Sequence, residues 1–246
     1  MIAIVTMLID HIGAAVLARL LMVNGLGELD QTNTDAIMQW LSANGALYGT
    51  YTVMRMIGRV AFPIFCFLLV EGFLHTHDVK KYVLRLGLFA LISEIPFDLA
   101  FSSKILEFNY QNVFFTLFIG LLTMIAYRAV EEKEEWNQAL KVILYILIVA
   151  AGMALAYFLK TDYAEKGVFC IMVLYIFRKK KMWQIIAGCA SFIWETPALF
   201  GFIPIAFYNG TRGWKMKYFF YIFYPAHLLI LYLLCYFMGI SGYSAV

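Results

Sequence analysis

The chain reads as an all-α polytopic membrane protein, a bundle of about eight to nine transmembrane helices around a central polar cavity. Three observations predict that class. Of its 246 residues 63% are hydrophobic and only 14% are charged, whereas ordinary globular domains are about 45–50% apolar and about 25% charged. The mean hydropathy is +0.78. Apolar runs of about 18 residues or more recur along the chain, long enough for a helix to cross a bilayer. The net charge of +3 decides little, because in a membrane protein the placement of charge matters more than its sum.

The elements follow in order. A first helix is predicted over 2–23; no signal-peptide cleavage pattern accompanies it, so it is expected to persist. The stretch "NGLGELDQTNTDAIMQWLSANG" is polar and turn-rich, carries three acids and no Lys or Arg, and reads as a loop. Helices are predicted next over 52–75 and 80–101, joined by the basic "HTHDVKKYVLR". Pro96 frees a backbone carbonyl and kinks the second of these. Further helices are expected over 111–129, 140–159, 165–178, 183–196, 197–208 and 217–238, with "YRAVEEKEEWNQALK", "RKKK" and "NGTRGWKMK" as charged connections. Positive-inside logic puts the basic connections in the cytoplasm, the acidic loop outside and the N-terminus inside. Residues 182–208 then lie between two inside loops, so they cross twice as short helices or dip in and return. The count is nine crossings, or seven with a re-entrant hairpin. One domain over 1–246 is expected, and no repeat at helix-pair spacing suggests duplicated halves.

Ionisable residues inside a bilayer are costly and mark function by default. Asp10 and His11 sit side by side in the first apolar run. Arg55 and Arg59 are four apart, as are Glu71 and His75, and Glu94 and Asp98, so each pair shares a helical face. Asn112, Glu195, Tyr224 and His227 complete a set expected to line the cavity. At about 1.5 Å per residue, His11 and His227 fall near mid-membrane. Plainer readings stand beside these. Arg55 and Arg59 could pair with Glu94 and Asp98, Glu71 with Lys80 or Lys81, and His75 could anchor an interface. His227 could make only a structural hydrogen bond. Adjacent residues diverge by about 100° on a helix, so Asp10 does not clamp the His11 ring and is expected to pair with an arginine of the second helix. That leaves His11 as a neutral base. The four cysteines lie in apolar runs without metal or redox spacing and read as packing residues. GxSxG, HExxH, P-loop, GxGxxG and CxxC patterns are absent from the sequence, which removes the usual motifs of hydrolases, zinc proteases, NTPases and thiol redox proteins. Neither a metal nor a nucleic-acid partner is expected.

The stretches "IAIVTMLIDHIGA", "RMIGRVAFPIFCFLLVEGFLHT", "KKYVLRLGLFALISEIPFDLAF", "NVFFTLFIGLL" and "FYIFYPAHLLILY" together resemble the TraX family, membrane proteins named for an F-pilin N-terminal acetylase. The resemblance runs from the first residues to about 238. It implies transfer of an acetyl or similar acyl group from acetyl-CoA or another acyl-CoA to an amine or hydroxyl. The acceptor would be a peptide, such as a pilin N-terminus, or an envelope carbohydrate, and the setting a bacterial inner membrane. TraX-like proteins look like distant relatives of larger membrane acyltransferase families with an early intramembrane catalytic histidine, and His11 matches that position. On this reading Lys80, Lys81, Arg178, Lys179, Lys180 and Lys181 would meet the coenzyme's phosphates, and Arg55 or Arg59 would hold a carboxylate or the developing oxyanion. A proton-coupled small-molecule transporter is the alternative, since buried acid, histidine and arginine pairs suit it equally. A scaffold for an envelope partner is a third reading.

Overall fold

The computed structural model describes residues 1–30, 32–211 and 217–243, with the backbone alone for residues 217 and 218. Most of the basic loop "NGTRGWKMK" lies outside the described residues. Among those described, the secondary structure is helical, and a lone bridge between Gln111 and Thr161 is the extended pairing present.

Helices α1 (Ile2–Ile12) and α2 (Ala18–Val23) form one rod through a π-helical turn at Gly13–Leu17. Helix α3 (Thr34–Gly58) begins inside the stretch expected to be a loop. Asn33 explains the start: its side chain accepts from the Ala36 N–H at 3.1 Å, an N-cap that satisfies a donor left over in the first turn. Hydropathy reported the medium around this segment and missed its backbone. The helix expected over 52–75 is likewise divided, because α3 stops at Gly58 and α4 (Ala61–His75) starts after Arg59 and Val60. Pro63 accounts for the break: it has no N–H, and its ring collides with the carbonyl four residues back, at Arg59. The break falls after Arg59, whose N–H still donates to the Arg55 carbonyl at 3.3 Å, so the two arginines remain one helical turn apart. Helices α5 (Val79–Ser102), α6 (Val113–Glu131), α7 (Gln138–Phe158) and α8 (Ala164–Ile176) lie near their expected bounds. Helix α9 (Lys181–Ser191) and a 3-10 turn (Thr196–Gly201) running into α10 (Phe202–Ala206) follow, and α11 spans Lys217–Phe237.

Five segments are long and apolar enough to cross a membrane: Ile2–Val23, Thr34–His75, Val113–Glu131, Gln138–Phe158 and Phe219–Phe237. This is a helical membrane protein. The 11 residues of α9 rise only about 17 Å, short of a hydrocarbon core about 30 Å thick. Thr196–Ala206 is equally short, so of the two expectations for 182–208 the lengths favour a hairpin that dips and returns.

Spatial contacts divide the chain into two compact units. The first holds α1 to α3, the last turns of α5 from Ile95, the residues up to Glu107, and α11. Here the α1–α2 rod packs on α3 and α11, with Ala15, Leu21, Leu228 and Cys235 fully buried between them. Small residues set the approach: a Cβ on Gly13 would lie 3.2 Å from that of Met54, and one on Gly58 would overlap Asp10. Arg19 is fully buried in this unit. Its guanidinium donates to the carbonyls of Ala15 (2.8 Å), Leu99 (3.3 Å), Ala100 and Tyr243 (2.9 Å), and to the Ser103 hydroxyl (2.8 Å). A cation placed on the last carbonyls of α5 satisfies acceptors that the helix end leaves unpaired.

The second unit holds α4, the first part of α5, and α6 to α10. Glycines let α6, α7 and α8 come close, as small residues do between membrane helices: Gly120 faces Ile171, Gly152 faces Thr123 and Gly167 faces Thr116. Two connections interlock through Gln111, whose N–H donates to the Lys160 carbonyl at 3.0 Å and whose carbonyl accepts from Asp162 at 2.8 Å.

Candidate functional site

In the first unit α1 delivers His11 and α11 delivers His227, and the two rings meet. His11 Nδ1 lies 2.7 Å from His227 Nε2, with centroids 4.9 Å apart and planes within 3°. Imidazole N–H bonds lie in the ring plane, so this is an edge-to-edge hydrogen bond in a common plane, not a face-to-face stack. His227 Nδ1 is 2.7 Å from the Phe223 carbonyl. A carbonyl only accepts, so that nitrogen carries hydrogen. With both rings neutral every hydrogen is then assigned: His227 Nε2 accepts from His11 Nδ1–H, and the basic lone pair resides on His11 Nε2. His227 is buried, and the edges of Phe101 and Tyr224 close around His11 at 5.5 and 5.7 Å.

Asp10, grouped with His11 in the sequence reading, turns elsewhere. Arg55 donates to its Oδ2 at 3.0 Å, so the arginine tether comes from α3 and His227 is the partner of His11. The pairing of Arg55 with Glu94 or Asp98 is corrected accordingly. Asp98 is buried and accepts from the Glu107 N–H at 2.8 Å. The α11 backbone sets His227 one turn after Phe223, which is why the helix's own carbonyl can orient its ring.

Arg59 also lies in the first unit, at the end of α3, and the remaining candidates belong to the second unit and form separate groups. Asn112 is fully buried; its side-chain nitrogen donates to Glu94 and to the Ala90 carbonyl (2.8 Å), while its oxygen caps α6 at Phe114 N–H (3.0 Å). That cluster binds α5 to the start of α6. Glu195 sits in the turn between α9 and the 3-10 segment. Glu71 stands beside Tyr208 and Lys181 and 3.9 Å from His75; the pairing with Lys80 or Lys81 is not observed, and Lys81 instead meets Asp78 at 3.2 Å.

The "RKKK" cations divide. Arg178 is held by Glu131 at 2.6 Å and lies 3.9 Å over the Tyr175 ring. Lys181 rests 4.4 Å over Phe67 and 5.3 Å over Tyr208, and burial there lowers its pKa while Glu71 opposes the shift. Lys179 and Lys180 are exposed, and with Ile176, Phe177 and Trp183 they line an open groove of about 430 Å³. Sequence reasoning passed over Arg19, Phe177 and Trp183. A lone arginine in the first apolar run was the available signal for Arg19; the two aromatics looked like ordinary interfacial bulk.

A helical membrane protein with a hydrogen-bonded histidine pair buried between its first and last apolar helices is the class that fold and site define. The chain belongs to the TraX family: the model of the TraX protein family matches residues 1–235. It is also similar to the probable fimbrial assembly protein FimC, serogroup H1, of Dichelobacter nodosus. Identity is 27% over 206 residues, covering 74% of this chain and 82% of that protein. No solved structure matches.

Proposed function

We propose that this protein is a membrane-embedded acyltransferase that moves an acetyl or similar group from acyl-CoA to an amine or hydroxyl. The observation that carries the reading is the ordered pair His11–His227, which leaves a directed lone pair on His11 Nε2. His11 Nε2 takes the acceptor's proton as its nitrogen or oxygen attacks the thioester carbonyl. The C–S bond then breaks as the new C–N or C–O bond is kept, and the departing sulfur receives the proton from His11. Through both steps His11 Nδ1–H stays donated to His227, which holds the ring in one tautomer as an orienting partner does in a triad. Family membership supports the chemistry, and the fimbrial assembly relative supports a surface peptide among the acceptors, with envelope glycans the other class. The setting is the bacterial inner membrane, with the donor supplied from the cytoplasm.

The test is transfer of labelled acetyl from acetyl-CoA onto a panel of peptides and amino sugars by the purified protein. Wild type should label a member of the panel, and His11→Ala should lose that activity while remaining folded and inserted. Normal turnover by His11→Ala removes His11 from the mechanism. Proton-driven uptake by proteoliposomes without any acyl transfer would establish the transporter reading instead.

A further inference from the structure

The groove at the α8–α9 junction has a composition that the acyl-transfer chemistry alone does not require. Its walls are Ile176, Phe177, Lys179, Lys180 and Trp183, its volume is about 430 Å³, and it is open at one side. That volume falls within the usual range for a small-molecule site, about 300–1,000 Å³. Phe177 is 40% exposed and Trp183 is 53% exposed, so two aromatic side chains stand uncovered beside the exposed ammonium groups of Lys179 and Lys180, the former 3.8 Å from Glu131. The neighbouring cations do not contribute: Arg178 is ion-paired with Glu131 and Lys181 is turned onto Phe67 and Tyr208. Of the four consecutive basic residues, two are committed to the fold and two are presented in the groove. Only the presented pair lies beside exposed rings.

We infer that the groove lined by Phe177, Lys179, Lys180 and Trp183 binds the phosphorylated adenine nucleotide end of the donor thioester. The inference rests on the acyl-CoA reading above and goes beyond it by naming the handle and its residues. A purine presents a flat π-face that stacks on an aromatic side chain with little sequence or substituent preference. The phosphates next to it are multiply anionic and suit lysine ammonium groups as point-charge partners. A lipid phosphate shares the charge complementarity but has no planar ring for the exposed aromatics. Binding at this handle is remote from the bond that breaks, so it governs how tightly the donor is held.

The experiment uses the full chain in phosphatidylcholine nanodiscs, with adenosine 3′,5′-bisphosphate as a probe that contains no thioester. Binding is measured by calorimetry, and donor kinetics are compared for acetyl-CoA and for acetyl-pantetheine, which lacks the nucleotide. Trp183→Ala and the double change Lys179→Ala with Lys180→Ala should each weaken the probe by about 5- to 100-fold, the range that base–aromatic stacking supports. They should raise the KM for acetyl-CoA similarly and leave turnover of acetyl-pantetheine as in wild type. Probe binding that depends on these residues, in a protein that transfers no acyl group from either donor, would uphold the nucleotide groove and overturn the acyltransferase reading. Wild-type probe affinity and KM in both variants would overturn the groove. So would an absence of probe binding together with lysine-dependent retention of phosphatidylglycerol in native mass spectra, which would make the groove a lipid site.

Discussion

Replacing Gly58 by alanine is a one-carbon change with a sign that the packing determines. In an exposed helix, Gly→Ala stabilises by about 0.5–1 kcal/mol through backbone entropy. At Gly58 the new methyl would overlap the Cβ and carboxylate of Asp10, and forcing an extra carbon into a tight contact costs about 1–3 kcal/mol. Moving Asp10 also strains its 3.0 Å bond to Arg55. Steric cost therefore wins, and Gly58→Ala should be less stable than wild type by about 1–3 kcal/mol. For a chain of this size that lowers Tm by about 2–4 °C per kcal/mol. The control is the same change in an Asp10→Gly background, where the obstructing carbon is gone. There Gly58→Ala should be neutral or stabilising by up to about 1 kcal/mol, giving a coupling of about 1–4 kcal/mol between the sites. Thermal unfolding of the four proteins in detergent, followed by tryptophan fluorescence, measures the cycle. Acyl transfer by Gly58→Ala should fall too, because the α1–α3 contact it wedges apart carries His11 on the residue after Asp10. Equal destabilisation in both backgrounds, or none in wild type, would refute the argument from close approach.

Three other outcomes follow from the geometry. His227→Phe removes the acceptor for His11 Nδ1–H and should lower kcat on the order of 10²- to 10⁴-fold with the donor KM held; His227→Gln, which restores an acceptor, should recover part of the loss in the same kinetic assay. Arg19→Met removes the shared donor of four backbone carbonyls and the Ser103 hydroxyl, where a lost partner costs about 1–3 kcal/mol for each group left unsatisfied, so the Tm should drop by more than for any other single change proposed; Arg19→Lys should restore only part of it, since an ammonium cannot reach all the acceptors at once. Asp78 caps α5 through the Lys81 N–H at 2.9 Å, and that bond and the Lys81 ammonium lower its pKa. A depressed carboxyl stabilises the fold above its unfolded pKa and loses that contribution as pH falls through its folded value. The stability difference between wild type and Asp78→Asn should accordingly be present at neutral pH and vanish in acid, as read from Tm across a pH series.

What the sequence made legible, and what it hid, divides along physical lines. Composition and run length announce membrane helices, because every buried span must be apolar regardless of its partners. The cost of ionisable groups in hydrocarbon singled out Asp10, His11 and His227, three of the residues that the structure gathers in the first unit. The partners were less accessible. Arg55 had two acids on α5 at plausible depth, and nothing in one-dimensional spacing favours Asp10 over them. Residues 34–51 were misread since hydropathy tells which solvent a segment faces, while the backbone is decided locally, here by the Asn33 cap. The break between α3 and α4 could have been foreseen from Pro63, whose clash falls four residues back. Arg19 escaped because its acceptors are backbone carbonyls, which every residue possesses and no side-chain pattern reveals.

The surroundings of Arg19 also impose an order on the making of the protein. It lies in the first apolar segment, yet its cage is completed by carbonyls from α5 and from Tyr243, 224 positions further along. When the first segment enters the bilayer, none of those distant acceptors has been synthesised, so the guanidinium must wait near headgroups or water, reaching up along its own helix. The rod can settle to its final depth only after the far end of the chain arrives. Arg19 thus ties the settling of the first helix to the arrival of α5 and of the segment that follows α11.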